Sequence, residues 1–542
     1  MRPAPVCRAR VRPPRGATTA PRRLTDAADL EPYLHDEAHF PGGHTPGVFL
    51  PADEGQVARA LSEATAVLPV GARSSLTGGA TPFGAWVLSL EQLARLEPPA
   101  KSSVLAGAGV SLTLLQSHLA GFGFWYPPVP TFTGALVGGV VSTNAAGAAT
   151  FKYGTTRDWV AGLTVMLASG GVLELERGAV CAHPEGYFEL EDLGRPMVRV
   201  PVPRYRMPDV PKRSAGYHTE PGMDLIDLFV GSEGTLAIVL EARLRILPRP
   251  AATLTALVVL ESDALAFELT AALREASLAT RRLGDPQGID VCAIEALDAR
   301  CLEILREDGA DRACGVELRP GDGAALLLQA ELPAALDEAQ ACDQIGRFED
   351  SDAPDTPLVR LCRLLASRGA LDRMSVALPG DTARAAQLFA LREAVPVGVN
   401  RRIGQAQRER HPAIQKVAAD MIVPFDRFPE MMRLYRDAFG RRGLDHAIWG
   451  HISDGNVHPN VLPRSIEEVA AGKEAILELG RELARLGGCP LSEHGTGRNP
   501  VKQALLAQLY GAEGIDAMRQ VKRALDPGGK LAPGVLFSVA RP

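Results

Sequence analysis

Residues 69–79 read PVGARSSLTGG, an apolar segment that runs into a loop of small side chains. Gly71, Gly78 and Gly79 tolerate positive φ angles, so the backbone N–H groups around them can converge on an anion. The loop has neither the GxGxxG nor the GxxxxGK[ST] spacing, which argues against a Rossmann site and a P-loop. It is either a cradle for a pyrophosphate or an ordinary surface turn.

Two further glycine-rich stretches follow this loop. Residues 127–147 read PPVPTFTGALVGGVVSTNAAG and carry no charged side chain, so the segment must be buried or covered by a ligand. Its small side chains would let the backbone approach a flat ring system closely, although a tightly packed core turn would have the same composition. Residues 231–238 read GSEGTLAI, which indicates a turn that enters a strand.

In this order and spacing, the three stretches resemble the FAD-binding domain of the vanillyl-alcohol oxidase / p-cresol methylhydroxylase (PCMH) superfamily over about residues 46–250. The segment KYGTTRD at residues 152–158 fits the same pattern. The resemblance implies an α+β fold: a PCMH-type FAD-binding domain of two α/β subdomains and a C-terminal FAD-linked oxidase cap domain with an antiparallel sheet and flanking helices.

The resemblance also assigns cofactor-binding residues. Those of the first loop would hold the FAD pyrophosphate, those of the second stretch would line the flavin and its ribityl chain, and the remainder would close the site. In chain order they are Gly71, Ala72, Arg73, Ser74, Ser75 and Leu76, then Gly138, Gly139, Ser142, Thr143, Asn144 and Gly147, then Arg157, Glu233, Gly234 and Ile238. Some relatives attach FAD through a histidine of the first loop, which has none here, so we expect non-covalent FAD.

The second half contains HAIWGHISDGNVHPN at residues 446–460 and LSEHGTGR at residues 491–498. His451 and His458 are seven residues apart and would lie on opposite faces of a straight strand. A turn at Asp454-Gly455 would let both imidazoles face one point. Two imidazoles and one carboxylate form the three-ligand set of a catalytic divalent metal, whereas unrelated surface histidines are the alternative.

The pattern HxxDGNxH followed by EHGxG resembles the FAD-linked 2-hydroxy-acid dehydrogenases, a group that includes D-lactate dehydrogenase, the glycolate oxidase flavoprotein subunit and D-2-hydroxyglutarate dehydrogenase. The segment LFALRE at residues 388–393 stands where relatives carry an arginine that binds the substrate carboxylate. The resemblance implies that His451, His458 and Glu493 bind a divalent metal ion, zinc or manganese being the expected one. It also implies that His494 is the catalytic base and that Asn456 and Arg392 contact the substrate. We expect Lys416 to be solvated.

The implied reaction is oxidation of a D-(R)-2-hydroxy acid of the lactate, glycolate or 2-hydroxyglutarate type to the 2-oxo acid, with hydride transfer to flavin N5. Two alternatives stay open. The chain could be a non-catalytic flavin-binding subunit of a multi-subunit oxidoreductase, or a sugar or aldonolactone oxidase of the same superfamily, which would not need the two histidines and the glutamate. The run of three histidines typical of alkyl-dihydroxyacetonephosphate synthase is missing, which argues against that chemistry.

Composition limits the remaining classes. The 542 residues carry a net charge of −6, and residues 26–542 carry −13 because seven arginines lie in the first 25 residues. An acidic body argues against nucleic-acid binding. The eight cysteines form no CxxC motif or iron–sulfur pattern, so electrons must leave to a separate quinone, cytochrome or electron-transfer flavoprotein. No apolar run is long enough to span a membrane.

We therefore expect a cytoplasmic protein or one peripheral to the inner membrane, as a homodimer or in complex with an iron–sulfur subunit. The domain organisation that we predict is a disordered basic tail at residues 1–25, the FAD-binding domain at 46–250, the cap domain at 251–480 and a C-terminal helical segment at 481–540 that returns to the FAD-binding domain.

Overall fold

The computed structural model describes residues 6–16, 19–191 and 196–537. The chain forms two units. The first comprises the residues up to Gly147, Gly154–Arg249 and those from Cys489 onward, and the second comprises Ala148–Tyr153 and Pro250–Gly488. The change of unit after Arg249 lies beside the predicted boundary at 250. The chain returns to the first unit after Gly488, later than the expected 480, and residues 538–540 of that predicted segment lie outside the described residues.

The strands of the first unit are short and interspersed with helices. They are β1 (Arg8–Arg10), β2 (Arg22–Leu24), β3 (Val48–Leu50), β4 (Val67–Val70), β5 (Trp86–Ser89), β6 (Ser103–Gly107), β7 (Phe124–Trp125), β8 (Val160–Met166), β9 (Val172–Glu176), β10 (Tyr187–Glu191), β11 (Val198–Pro201), β12 (Ile238–Arg245) and β13 (Leu247–Pro248). Those of the second unit are β14 (Ala252–Leu260), β15 (Val291–Asp298), β16 (Ala324–Leu332), β17 (Met374–Ala377), β18 (Val417–Ala418), β19 (Met421–Ile422), β20 (His446–Gly450) and β21 (Asn456–Val461).

The helices become longer in the second half of the chain. They are α1 (Ala27–Leu30), α2 (Glu54–Glu63), α3 (Leu112–Ala120), α4 (Val137–Thr143), α5 (Thr150–Tyr153), α6 (Thr156–Trp159), α7 (Leu225–Phe229), α8 (Asp263–Leu283), α9 (Ala299–Glu307), α10 (Ala310–Ala313), α11 (Glu338–Gly346), α12 (Pro357–Ala366), α13 (Thr382–Glu409), α14 (Phe428–Gly440), α15 (Ile466–Arg485) and α16 (Pro500–Leu525), with 3₁₀ turns at Glu31–Tyr33, Phe425–Arg427 and Ile452–Asp454. Within the described ranges, no helix combines the length and apolar character needed to cross a membrane.

Two four-stranded sheets dominate the first unit. One has the order β2-β3-β5-β4, in which β3, β5 and β4 are parallel, and the other has the antiparallel order β6-β12-β8-β9. The sheets correspond to the two predicted subdomains. The burial pattern of β12 is typical of a strand with one face towards the core, because after three buried residues its side chains alternate between buried and more exposed positions.

The second unit is built on one antiparallel sheet of order β17-β14-β16-β15-β20-β21-β18, which confirms the predicted sheet of the C-terminal domain. β14 and β16 pair along their whole lengths, from Ala252↔Leu332 to Leu260↔Ala324. Helices α9 and α13 pack on the sheet through a buried apolar cluster that includes Leu297 of β15, Leu391 of α13 and Trp449 of β20. This packing fixes β15, which carries Glu295, and β20, which leads into His451.

The expectation of a disordered tail is wrong for part of residues 1–25. β1 pairs in parallel with β10, and β2 pairs with β3. Arg12 contacts Glu54 at 2.5 Å and Glu174 at 2.8 Å. A run of arginines without local acids reads as a solvated tail, but its partners lie far away in sequence and become visible only in the fold. Residues 1–5 and 17–18 lie outside the described residues.

Helix α16 belongs to the first unit and is fixed there by a buried ion pair. Lys522 Nζ donates to Asp526 Oδ2 at 2.6 Å and to the carbonyls of Thr235 and Leu531 at 2.6 and 2.7 Å. Asp526 also accepts the N–H groups of Lys530 and Leu531. Both charges are almost completely buried, so each depends on the other.

We predict that Lys522→Met lowers the free energy of unfolding by about 3–5 kcal/mol, because it leaves the Asp526 carboxylate buried without its cation. Urea denaturation measures the change. The matched control is Arg523→Met, at an exposed neighbouring position of the same helix, which should stay within about 0.5 kcal/mol of the wild type. A loss below about 1 kcal/mol for Lys522→Met would contradict the role of the ion pair.

Candidate functional site

The first glycine-rich loop leaves β4 and folds around a serine. Ser75 Oγ accepts the N–H groups of Thr77 and Gly79, each at 3.2 Å. Arg73 and Gly78 have φ angles of 59° and 74°, which glycine adopts readily and arginine only with strain. The predicted loop residues from Gly71 to Leu76 therefore lie on one compact turn of small side chains in the first unit.

The second stretch forms α4 and the turn after it, and its glycines differ in what surrounds them. A Cβ atom at Gly138 would lie 2.8 Å from Ala108 Cβ, and one at Gly147 would lie 2.3 Å from the Val129 carbonyl oxygen. Both positions therefore require glycine for packing. A Cβ at Gly139 would meet no atom within 4 Å. Gly139 faces open space on a surface of small residues, which suits the close approach of a flat ring system such as a flavin.

Arg157 braces this region from within the first unit. Its backbone N–H donates to Asn144 Oδ1 at 2.9 Å, and Asn144 ends α4 in the left-handed conformation with φ 50°. The guanidinium donates to the carbonyls of Asp227 and Val230, each at 2.6 Å. Arg157 thus fixes the segment that leads into Gly231, where the third stretch begins.

Glu233 connects the third stretch to the C-terminal EHGTG segment of the same unit. Its carboxylate accepts the N–H groups of Thr496 and Gly497, each at 2.8 Å, and its own N–H donates to the Ser142 carbonyl at 2.7 Å. Burial raises the pKa of the carboxyl to about 7, although the two N–H donors oppose that rise. Gly234 has a φ of 70°, and the buried Ile238 opens β12.

Glu493 is held by a lysine that the sequence reading missed. Lys212 is completely buried, and its Nζ pairs with Glu493 Oε1. Ser214 N–H donates to the Ser492 carbonyl at 2.9 Å, so the segment around Lys212 runs beside Glu493. Ser214 Oγ donates to the Thr143 carbonyl at 3.1 Å. The carboxylate therefore lies in a polar, ordered setting, and the half-buried His494 follows it directly.

In the second unit, the two predicted histidines meet as the turn at Asp454-Gly455 requires. A 3₁₀ turn at Ile452–Asp454 and Gly455 at φ 86° reverse the chain between β20 and β21. The imidazole centroids of His451 and His458 lie 5.5 Å apart, with their planes at 88°. Two imidazoles bound to one tetrahedral zinc ion at about 2.0–2.1 Å would have centroids about 5 Å apart.

Each imidazole has a buried carboxylate behind it. His451 Nδ1 lies 2.8 Å from Glu295 Oε1, and His458 Nδ1 lies 3.2 Å from Asp420 Oδ1. A carboxylate at this position favours the proton on Nδ1 and leaves the lone pair on Nε2, the form in which histidine binds a metal. The donor set of the second unit therefore fits a divalent cation.

Asn456 contacts Asp420, and Arg392 contacts Glu295, the two carboxylates that lie behind the histidines. Asn456 Nδ2 donates to Asp420 Oδ1 at 3.1 Å and to the Met421 carbonyl at 3.0 Å. The substrate contact expected of Asn456 stays a prediction. Arg392 donates to Glu295 Oε2 from Nε and Nη2 at 3.3 and 3.2 Å.

The Arg392 guanidinium also donates to Glu393, at 2.9 Å, so two carboxylates share it. Burial opposes the ionisation of Glu295, but Arg392 and then His451 lower the pKa of its carboxyl well below the ordinary value. Arg392 is thus an orienting cation for Glu295, and its predicted contact with a substrate carboxylate stays a prediction.

Sequence reasoning missed Glu295, Asp420 and Lys212. Glu295 and Asp420 had a usable signal, because each is a carboxylate in an otherwise apolar run, where an unpaired charge would be costly. Lys212 had none, because its partner is distant in sequence. Lys416, expected to be solvated, is exposed and its Nζ lies 3.3 Å from Asn400 Oδ1.

Comparisons with known proteins agree with this architecture. Residues 45–176 match a family model described as an FAD binding domain, and residues 260–536 match one described as FAD linked oxidases, C-terminal domain. The alkyldihydroxyacetonephosphate synthase structure has a TM-score of 0.57 and 13% sequence identity, and the alignment covers 94% of this chain and 83% of that one. At that identity the likeness concerns the fold alone. The predicted pairing of an FAD-binding domain with an oxidase C-terminal domain is confirmed.

Curated relatives extend over nearly the whole chain. A D-2-hydroxyglutarate dehydrogenase of Xanthomonas citri pv. viticola is 31% identical over 533 residues, which cover 96% of this chain and 95% of the relative. Glycolate oxidase subunit GlcD of Bacillus subtilis is 26% identical, with coverage of 91% and 88%. A D-lactate dehydrogenase of Anaerostipes hadrus is 25% identical, with coverage of 95% and 94%.

We predict that Gly139→Leu leaves folding intact and weakens FAD binding at least tenfold, because the new side chain fills the open space above α4. The free energy of unfolding of the apoprotein should be unchanged or up to about 1 kcal/mol higher, since glycine is a poor helix former. Flavin absorbance after titration with FAD measures binding.

Gly139→Ala is the matched control and should bind FAD with less than a threefold change. Gly147→Ala should do the opposite of Gly139→Leu and destabilise the fold, because its Cβ would collide with the Val129 carbonyl. Full FAD affinity in Gly139→Leu would contradict the placement of the flavin against this glycine.

Proposed function

The chain belongs to the family of FAD-linked oxidases, and from that premise we propose that it is a dehydrogenase that oxidises a D-(R)-2-hydroxy acid to the 2-oxo acid. Relatives named for D-2-hydroxyglutarate, glycolate and D-lactate support a small 2-hydroxy acid as the substrate. The observation that carries the proposal is the pair of buried imidazoles, His451 and His458, each backed by a carboxylate. A protein that only holds a flavin has no need for such a pair.

FAD binds non-covalently in the proposal, to the small-residue surface of the first unit. When bound, it supplies the acceptor for the two electrons and for the hydrogen that leaves C2 as a hydride. The loop from Gly71 to Leu76 would hold the pyrophosphate, and Gly139 would lie against the ring system. The first loop has no histidine to form a covalent link.

A divalent cation, zinc or manganese, completes the proposed site. His451, His458 and Glu493 would bind it. When bound, such an ion supplies a Lewis acid for the substrate hydroxyl and carboxylate. Glu295 and Asp420 orient the two imidazoles and increase their basicity, as carboxylates behind histidine ligands do in metal sites.

His494 is the proposed base that takes the proton of the substrate hydroxyl. Imidazole suits this task because histidine titrates near neutral pH when unperturbed. Asn456 would contact the substrate, and Arg392 would attract its carboxylate from beside Glu295. Turnover would also require a separate electron acceptor such as a quinone, a cytochrome or an electron-transfer flavoprotein.

We predict that His494→Ala keeps its flavin and loses at least about 10²-fold in the rate of flavin reduction, because a positioned base contributes about 10²–10⁴-fold. Stopped-flow mixing with D-lactate, glycolate and D-2-hydroxyglutarate under anaerobic conditions measures that rate at 450 nm. The matched control is His411→Ala, at an exposed histidine. A rate in His494→Ala equal to that of the wild type would exclude His494 as the base.

We predict that the purified protein contains one divalent ion per chain and that His451→Ala loses it while retaining FAD. Asp420→Asn, which keeps the ligands and weakens the support of His458, should lower metal affinity by about 10–100-fold. Elemental analysis and titration with zinc after chelation measure both effects. Undiminished turnover after complete removal of the metal would show that the ligand assignment is incorrect.

A further inference from the structure

The segment that carries His494 contains two glycines, which restrict the backbone less than other residues do. Gly495 and Gly497 have φ angles of 72° and 56°, and the backbone between them is therefore free to take several conformations unless neighbours restrain it. Its C-terminal end is restrained because the N–H groups of Arg498 and Asn499 both donate to the Thr77 carbonyl at 3.0 Å. At its N-terminal end, Glu493 is held by Lys212, so the part between the two ends is what still needs a restraint.

Glu233 supplies that restraint with its carboxylate. Oε1 accepts the Thr496 N–H and Oε2 accepts the Gly497 N–H, each at 2.8 Å. A Cβ atom at Gly495 would lie only 2.8 Å from Oε1, so the backbone beside His494 passes directly against the carboxylate. The two oxygens are thus occupied by the backbone of one short loop, in a bidentate arrangement that fixes its orientation.

The other end of Glu233 is anchored to the flavin-binding stretch. Its N–H donates to the Ser142 carbonyl at 2.7 Å, in the helix that begins beside Gly138. Glu233 has a φ of 53°, a conformation that suits glycine and strains a residue with a side chain. A side chain at a position where the backbone favours glycine indicates that the interactions of the carboxylate offset the backbone strain.

We propose that Glu233 is a positioning residue that sets the place of the His494 imidazole relative to the flavin-lining helix α4. The proposal rests on the proposed function, in which His494 is the base. One residue spans the two segments: its backbone is bonded to Ser142 and its carboxylate to Thr496 and Gly497. The third glycine-rich motif therefore serves the proton-transfer step as well as the cofactor.

A double-mutant cycle tests whether Glu233 acts through His494. Glu233→Gly removes the carboxylate and suits the positive φ, so the turn itself should fold. We expect it to keep FAD and to slow flavin reduction by about 10²-fold, the effect of a small misplacement of a reacting group. In the His494→Ala background the same substitution should cost less than threefold, because the base is already missing. Equal losses in both backgrounds would overturn the proposal.

Glu233→Gln gives a graded comparison, because its single side-chain oxygen can accept only one of the two N–H groups well. It should lie between the wild type and Glu233→Gly. Glu185→Ala, which removes an exposed carboxylate elsewhere in the first unit, is the control and should match the wild type. Loss of FAD from Glu233→Gly would also overturn the proposal, since the residue would then hold the cofactor rather than the base.

Hydrogen exchange provides a readout that needs no substrate. The amides of Thr496 and Gly497 should exchange at least tenfold faster in Glu233→Gly with FAD bound, and one of the two should do so in Glu233→Gln. Unchanged exchange in Glu233→Gly would overturn the restraint. If no 2-hydroxy acid reduced the wild-type flavin, the proposed function would fail, whereas the exchange measurement would still decide whether Glu233 holds this loop.

Discussion

Buried carboxylates orient the side chains of the candidate site in this protein. A carboxylate removed from water is tolerated only when charges or N–H groups surround it. Glu295 meets this condition through Arg392 and His451, and Asp420 through His458 and Asn456. Each carboxylate lies beside the Nδ1 atom of one imidazole and thereby favours the ring orientation seen in the structure. The sheet of the second unit holds β15, which carries Glu295, against β20, which leads into His451.

Buried carboxylates also need partners in the first unit, where backbone N–H groups supply some of the hydrogen bonds. Glu233 is satisfied by two N–H groups of a glycine-containing loop, and Glu493 by a lysine without solvent exposure. The glycines of the second stretch divide into two kinds. Gly138 and Gly147 make room for neighbouring backbone and side chains, whereas Gly139 leaves space that the protein does not fill. Within one motif of small residues, some glycines are thus required by packing and one is not.

Features set by local chemistry could be predicted from the sequence. The turn at Asp454-Gly455 and the meeting of His451 and His458 follow from the local motif, whereas the antiparallel sheet of the second unit and the paired domains were implied by the resemblance to FAD-linked oxidases. Features set by distant partners could not. The arginines of residues 8–12 looked like a solvated tail because Glu189 and Glu174 lie more than 150 residues away. Lys212 is 281 residues from Glu493, and no pattern in the chain links them.

The division of the first unit between the two ends of the chain has a consequence for biosynthesis. Val67 of β4 forms a bridge with Leu531, and Lys522 of α16 bonds to the Thr235 carbonyl. A ribosome releases those C-terminal residues only after the entire second unit has been made, so the first unit cannot be completed before the second has been synthesised. An incompletely folded domain exposes apolar surface that chaperones can protect, so a split of this kind extends the interval in which such protection is useful during synthesis.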